Sequence, residues 1–86
     1  MSTSALATAL EYAPIIARVH SHHPELARIR DLTEAVATAE PDADLAPLFA
    51  ELRTLTNDYK APADTCETVE ATYRALASVE AEYAGR

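Results

Sequence analysis

Apolar residues recur every three or four positions in four separate stretches of this 86-residue chain, and that spacing most constrains its fold. A repeat of three to four residues places side chains on one face of an α-helix. No stretch alternates apolar and polar residues as a half-buried β-strand does. A single glycine, Gly85, and abundant alanine, leucine and glutamate also favour helices. The sequence therefore predicts one small all-α domain over residues 1–86.

Proline positions and the apolar spacing give the bounds of the first two predicted helices. The first runs over about residues 4–20, with a kink or a break expected at Pro14, because proline removes a backbone donor. The second begins at Pro24, since proline suits the first helical position, and it ends at residues 40–41. The expected buried stripe of this second helix is Leu26, Ile29, Leu32 and Val36.

The third and fourth predicted helices begin at capping residues. The third opens after Asp42 or Asp44, and its apolar positions are Leu45, Leu48, Phe49, Leu52, Leu55 and Tyr59. The fourth opens at Asp64, which precedes Glu67 by three residues in a capping-box pattern, and Gly85 ends it. Its apolar seam is Cys66, Val69, Tyr73, Leu76 and Tyr83, with Val79 beside it. Four helices joined by short connections predict an up-down antiparallel four-helix bundle.

The charge of the chain excludes some classes of partner. Acidic residues number 14 and basic residues 7, which gives a formal net charge of −7 at pH 7. The basic residues are spread along the chain, whereas nucleic-acid binders concentrate them on one face. We therefore expect neither a nucleic acid nor an anionic membrane surface as a partner.

The cellular location and the association state also follow from composition. The one cysteine, Cys66, has no internal partner for a disulfide, and no apolar run is long enough to span a bilayer. The N-terminal stretch lacks a basic region and is interrupted by Glu11, so we do not expect a signal peptide. These features predict a cytoplasmic protein. Its core is thin, with one Phe and no Trp, so we expect a homo-oligomer or a protein partner.

Residues 52–73 read LRTLTNDYKAPADTCETVEATY, an order more specific than a plain helix pair requires. This stretch resembles the last helix–turn–helix of the hemerythrin-like domain in the RIC (repair of iron centres) family, di-iron proteins linked to iron–sulfur cluster repair. The residues that match are Leu52, Leu55, Thr56, Asn57, Tyr59, Pro62, Cys66, Thr68 and Tyr73. Residues 18–26 are similar to a second family stretch, Arg-Val-His followed by His-Pro-Glu-Leu.

The resemblance implies a hemerythrin-like fold, but the iron ligands of the family are missing. In the family, four His and two bridging carboxylates hold the irons. The His-x-x-x-Glu of the second helix has no counterpart in residues 33–41, and the family's Glu-His-Asp falls on residues 41–43. The last His falls on Arg86, and the first would precede residue 1. We therefore expect a divergent, shortened domain without an intact di-iron site, an accessory or binding module in iron or nitrosative-stress handling.

The densest cluster of metal-type ligands is His20, His22, His23 and Glu25. His20 and His23 are three residues apart, a spacing that lets two imidazoles share a helix face, although Pro24 pushes His23 out of helical conformation. One hypothesis is a metal or proton-linked site, in which iron or zinc would bind these residues across a dimer. The other is a solvated polar turn with no cofactor. In a second register of the resemblance, residues 15–23 match the first family helix and His20 takes an iron-ligand position.

The remaining chemical side chains favour structural roles. Cys66 falls in the first turn of a predicted helix, where a reactive thiol is one interpretation, but its place on the apolar seam favours a small buried residue. Four tyrosines could line a pocket, and of these Tyr59 and Tyr73 are interpreted as core residues. The four are Tyr12, Tyr59, Tyr73 and Tyr83. Glu80 and Glu82 are expected on a solvated face.

No arrangement of residues indicates an enzyme. The sequence contains no Glu-x-x-His pair, no Cys-x-x-Cys and no glycine-rich phosphate loop. No Ser-His-Asp set is recognisable either. The alternative to a hemerythrin-like module is therefore a helical dimerisation or protein-interaction domain that binds no metal and completes its thin core by association.

Overall fold

The computed structural model describes residues 4–40, 42–62 and 65–84. Within these ranges the chain contains four α-helices and no strand, which confirms the all-α prediction. The helices are α1 (Ala5–Val19), α2 (Pro24–Thr38), α3 (Ala46–Leu55) and α4 (Glu67–Ala84). None of these four helices is both long enough and apolar enough to cross a membrane.

Helix α1 begins at a side-chain cap and passes through a proline without a break. The hydroxyl of Ser4 accepts a hydrogen bond from the N–H of Ala7 at 3.0 Å. Ser4 is therefore the N-cap of α1. Pro14 lies inside the helix, so the alternative of a break there is wrong. Pro14 is exposed, and α1 packs against the core through buried residues on both sides of it. Those buried residues are Ala9, Ala13, Ile16 and Ala17.

Helix α2 begins at Pro24 as predicted, with Glu25 in its first turn near the positive end of the helix. Three of its four predicted stripe residues, Leu26, Ile29 and Leu32, are buried, and Val36 is partly buried. The helix ends at Thr38, two residues before the predicted end. Ala39 already has extended backbone angles, which stop the helical hydrogen bonding there.

Helix α3 begins beside one of the two predicted caps. A carboxylate oxygen of Asp44 accepts a hydrogen bond from the N–H of Ala46 at 3.1 Å. Phe49 and Leu52 are buried, and the other apolar positions of this segment pack partly against the core. These are Leu45, Leu48, Leu55 and Tyr59.

Tyr59 lies in a turn beyond α3, although the apolar spacing extended the helix to it. The hydroxyl of buried Thr56 donates to the carbonyl of Leu52 at 2.7 Å and accepts from the N–H of Tyr59 at 2.8 Å. Asn57, Asp58 and Tyr59 then have φ angles of 52°, 63° and 64°, in the left-handed region. By accepting the N–H of Tyr59, the threonine hydroxyl replaces a helical backbone acceptor, and the left-handed residues end the helix.

Helix α4 buries most of its predicted seam. Val69, Tyr73, Leu76 and Val79 are buried, as the spacing predicted, and Tyr83 is partly buried. Cys66 precedes the helix and is exposed, so its predicted burial is wrong. Its backbone carbonyl accepts from the N–H of Glu70 at 3.2 Å, and this capping position turns the residue away from the seam. The predicted cap Asp64 and stop Gly85 lie outside the described residues.

The helices enclose one apolar core. Helix α1 packs against α2 and α4, and α2 packs against α3. Arg28 on α2 and Glu51 on α3 form two hydrogen bonds of 2.6 and 2.8 Å, and they hold the pKa of Glu51 below its ordinary value. Helices α3 and α4 meet where the ring of Phe49 contacts that of Tyr83, with centroids 5.3 Å apart.

Two isoleucines offer a matched test of this core. Ile29 is fully buried, whereas Ile15 is 36% exposed on α1. We expect Ile29→Ala to lower the free energy of unfolding by about 2–5 kcal/mol, because it leaves a cavity. Ile15→Ala should cost less than about 1 kcal/mol. Urea denaturation of both variants checks this, and equal losses would contradict the assigned core.

Candidate functional site

An imidazole and a thiol meet at one end of the helical domain. Nε2 of His20 lies 3.3 Å from Sγ of Cys66, although the two residues are 46 positions apart in the chain. His20 directly follows α1, and its N–H donates to the carbonyl of Ile16 at 2.9 Å. Cys66 directly precedes α4. Because α1 packs against α4, the two side chains face each other across the ends of these helices.

The turn between α1 and α2 orients the other two histidines. The N–H of His23 donates to the carbonyl of His20 at 2.9 Å, which closes the turn. His23 is also the residue before α2, and its Nδ1 lies 3.3 Å from a carboxylate oxygen of Glu25. The rings of His20 and His23 meet edge to face, with centroids 6.3 Å apart. His22 is exposed and its ring contacts that of His23.

A shallow cleft of about 90 Å³ lies between this turn and the start of α4. The residues around it are His20, His23, Glu25, Leu26, Pro62, Thr65, Val69 and Tyr73. Burial raises the pKa of the Tyr73 phenol, and the charge of Glu25 raises it further, so this phenol stays protonated at neutral pH. The cleft is far smaller than the roughly 300–1,000 Å³ typical of small-molecule sites.

The structure brings together part of the predicted metal cluster. His20, His23 and Glu25 share the cleft, whereas His22 lies outside it. Over residues 4–40, 42–62 and 65–84, no group of three or more His, Cys, Asp or Glu side chains has an arrangement that could hold a metal ion. Metal binding by the predicted set His20, His22, His23 and Glu25 therefore stays a prediction, and it needs ligands from beyond one copy of the described chain.

Cys66 is the site residue that the sequence pattern missed. Its position on an apolar seam indicated burial, yet it is exposed and paired with His20. A nitrogen and a sulfur donor side by side form the ligand combination that zinc and similar ions prefer. The signal that could have indicated the contact is their position: His20 directly follows α1 and Cys66 directly precedes α4, and in antiparallel helices these two ends lie together.

A second cluster fastens the turn after α3 onto α4. Arg53 donates to the carboxylate of Glu80 at 2.9 Å, and the hydroxyl of Tyr59 donates to the same carboxylate at 2.8 Å. Glu80 is thus held by partners rather than solvated as predicted, because α3 and its turn bring both donors to it. Glu82 is exposed, as predicted.

The ionisation of this cluster follows from its burial and its hydrogen bonds. Burial alone raises the pKa of Glu80, but the hydrogen bonds from Arg53 and Tyr59 outweigh it and leave that pKa below its ordinary value. Burial and the hydrogen bond to Glu80 raise the pKa of Tyr59 well above the usual range. The carboxylate therefore stays charged and the phenol stays neutral. The cluster stabilises the packing of α3 and its following turn against α4.

The tyrosines have mainly structural places. Tyr73 is buried, and Tyr59 is partly buried with its hydroxyl bonded, in line with their interpretation as core residues. The Tyr83 hydroxyl accepts from the N–H of Leu45 at 3.2 Å, and Tyr12 is partly buried. Tyr83 also borders a cleft of about 200 Å³ at the other end of the helices. Among the tyrosines of the described residues, Tyr73 is the one that borders the cleft beside His20.

Comparisons of the chain with protein-family models, curated proteins and solved structures found no match. The resemblance to the RIC family therefore rests on the residues quoted above and stays a prediction. The described residues define an all-helical domain with an exposed Cys–His pair at one end.

The exposure of Cys66 is directly testable with a thiol reagent. We expect iodoacetamide to label the native protein at a rate within about tenfold of the urea-unfolded protein, because an exposed thiol needs no unfolding to react. Mass spectrometry of timed samples measures the rate, and Cys66→Ser, which removes the one cysteine, is the blank. Labelling that occurs only on unfolding would show that Cys66 is buried.

Proposed function

We propose that this chain is a divergent hemerythrin-like domain, related to the RIC proteins of iron–sulfur cluster repair, that acts as an accessory or binding module without an intact di-iron centre. The observation that carries the proposal is the chemistry of the interior. Among the described residues, the buried polar side chains are Thr33, Thr56 and Thr72. Di-iron sites in helical bundles need His and carboxylate side chains that project inward, and the described interior buries none.

The three buried threonines are already satisfied by the backbone. Each hydroxyl donates, at 2.7 Å, to the carbonyl four residues earlier. Around them the interior is filled by aliphatic and aromatic side chains such as Ile29, Leu52 and Leu76. Such an interior stabilises the fold by apolar burial, and within residues 4–40, 42–62 and 65–84 it leaves no buried polar side-chain atom unpaired for an ion to bind.

Contacts at the helix ends support an up-down antiparallel bundle of the hemerythrin type. His20, which follows α1, touches Cys66, which precedes α4. Leu6, near the start of α1, borders the same cleft as Tyr83, near the end of α4. Opposite ends of α1 and α4 are therefore neighbours, as an antiparallel pair requires. The four-residue connection between α1 and α2 favours the same relation for that pair.

The residues that carry the family resemblance have structural places in this chain. Leu52 and Thr56 are buried, and Tyr73 lies in the core. Asn57 and Tyr59 form the left-handed turn that leads the chain from α3 toward α4. These roles support kinship in the fold, and they need no metal.

Iron uptake tests the proposal. After anaerobic incubation with ferrous iron, desalting and exposure to air, we expect well below about one iron per chain and no oxo-bridge absorption, because the part of the interior that the structure describes buries no His or carboxylate ligand. Metal analysis and the visible spectrum give the result, with far-UV circular dichroism as the control for folding. About two irons per chain with oxo-bridge absorption would overturn the proposal.

A helical dimerisation or protein-interaction domain without metal is the second candidate. The observation that favours it is an apolar stripe on α1, where Ile15 is 36% exposed and Val19, one turn later, is 64% exposed. Residues four apart lie on the same helix face, so the two side chains form one patch. A second copy or a protein partner would cover this patch.

A metal-free dimer predicts a melting temperature that rises with protein concentration in the presence of EDTA. Val19→Glu should remove that dependence, because a carboxylate in the patch would be buried without a partner. Ala81→Glu, which adds the same charge at an exposed position of α4, should keep it. Differential scanning calorimetry over a hundredfold range of concentration measures the effect, and a constant melting temperature rejects this candidate.

A further inference from the structure

The His20–Cys66 pair has the separation of two ligands on one tetrahedral ion. Zinc bonds of about 2.0 Å to nitrogen and 2.3 Å to sulfur, at the tetrahedral angle, place the two donor atoms about 3.5 Å apart. Nε2 of His20 and Sγ of Cys66 are 3.3 Å apart in the structure. An ion could therefore bind both atoms with only a small adjustment of the two side chains.

We propose that two copies of this chain bind one zinc ion between them, through His20 and Cys66 of each copy. A single copy has two donors in place, and a closed zinc site takes four. In a two-fold symmetric dimer, the same surface of each copy meets at the axis, so every ligand is present twice. An ion on that axis receives two imidazole nitrogens and two thiolates, which is a common composition for structural zinc.

The position of each donor suits this role. Cys66 lies at the N-terminal end of α4, where the partial positive charge of the helix favours a zinc-bound thiolate. As zinc binds, each Cys66 thiol releases its proton to solvent and the sulfur bonds to the ion. His20 is half-buried at the end of α1, which limits the freedom that its ring loses on binding.

The surface next to the pair favours a second copy as the partner. Val19 directly precedes His20 and is 64% exposed, so an ion that joins two copies at His20 brings these apolar side chains close to the interface. Each copy carries a formal net charge of −7, which opposes association without an ion. The two contributions together predict a dimer that forms on zinc binding and separates when zinc is removed.

The two other histidines of the turn stay outside the proposed ligand set. Nδ1 of His23 is engaged by Glu25 at 3.3 Å, and its ring is 6.3 Å from that of His20, centroid to centroid. His22 is exposed and contacts His23 rather than the Cys66 sulfur. His22→Ala is therefore a matched control, because it removes a neighbouring imidazole but neither proposed ligand.

The test is a zinc titration of the full chain, reduced and stripped of metal, followed by sedimentation velocity and metal analysis after desalting. We expect about one zinc per two chains, and a dimer that EDTA returns to monomer. Cobalt in place of zinc should give the thiolate-to-metal absorption of a tetrahedral site. Cys66→Ser and His20→Ala should each weaken zinc binding by more than about tenfold, whereas His22→Ala should bind as the parent chain does.

Several outcomes would overturn the inference. No retained zinc, zinc retained equally by Cys66→Ser, or a monomer that holds zinc alone would each do so. A dimer that persists in EDTA and a thiol reductant would also do so, and it would support the metal-free candidate instead. Far-UV circular dichroism of each variant separates lost ligands from lost folding. Because the iron experiment probes the interior and this one probes the exposed end, either proposal can fail alone.

Discussion

The alanine-rich face of α1 is the surface on which the rest of the fold is assembled. Ala9, Ala13 and Ala17 recur every four residues and are buried, so α2 and α4 can approach α1 closely. Pro14 lies on the exposed side, where its missing backbone donor does not disturb that packing. Because α1 contacts two helices along its length, its register determines which residues meet at its ends. The contact between His20 and Cys66 is a consequence of that register.

The sequence predicted the features that follow from residue spacing and proline positions, and it missed those that depend on particular side-chain hydrogen bonds. The start of α2 at Pro24 and its buried stripe follow from local rules, and both are confirmed. The extension of α3 to Tyr59 was wrong, because periodicity alone does not reveal that the N–H of Tyr59 donates to the Thr56 hydroxyl in a left-handed turn. Glu80 was expected in solvent, because nothing near it in the chain indicates that Arg53 and Tyr59 reach it.

The residues of the candidate site were also predicted only in part. The histidine cluster is visible in the sequence as a short run of ligand-type residues, and the structure does place His20 and His23 on one cleft. The role of Cys66 was not visible, since a residue on an apolar repeat is ordinarily buried. Here the apolar repeat begins at Cys66, one residue before the start of α4. Cys66 is the capping residue, so its side chain leaves the seam for the surface.

The metal-type ligands lie at the surface and not in the described interior, so the stability of the fold does not depend on a bound metal. An interior di-iron centre has to offset the burial of charged ligands, and a fold built around such a centre depends on the ion. In this chain the described interior is apolar with satisfied threonines, so the contacts that stabilise it need no interior ion. Donors at an exposed helix end cost little desolvation, but one copy leaves the ion open to water. If a second copy closes that coordination, as we propose, the bound metal controls association rather than folding.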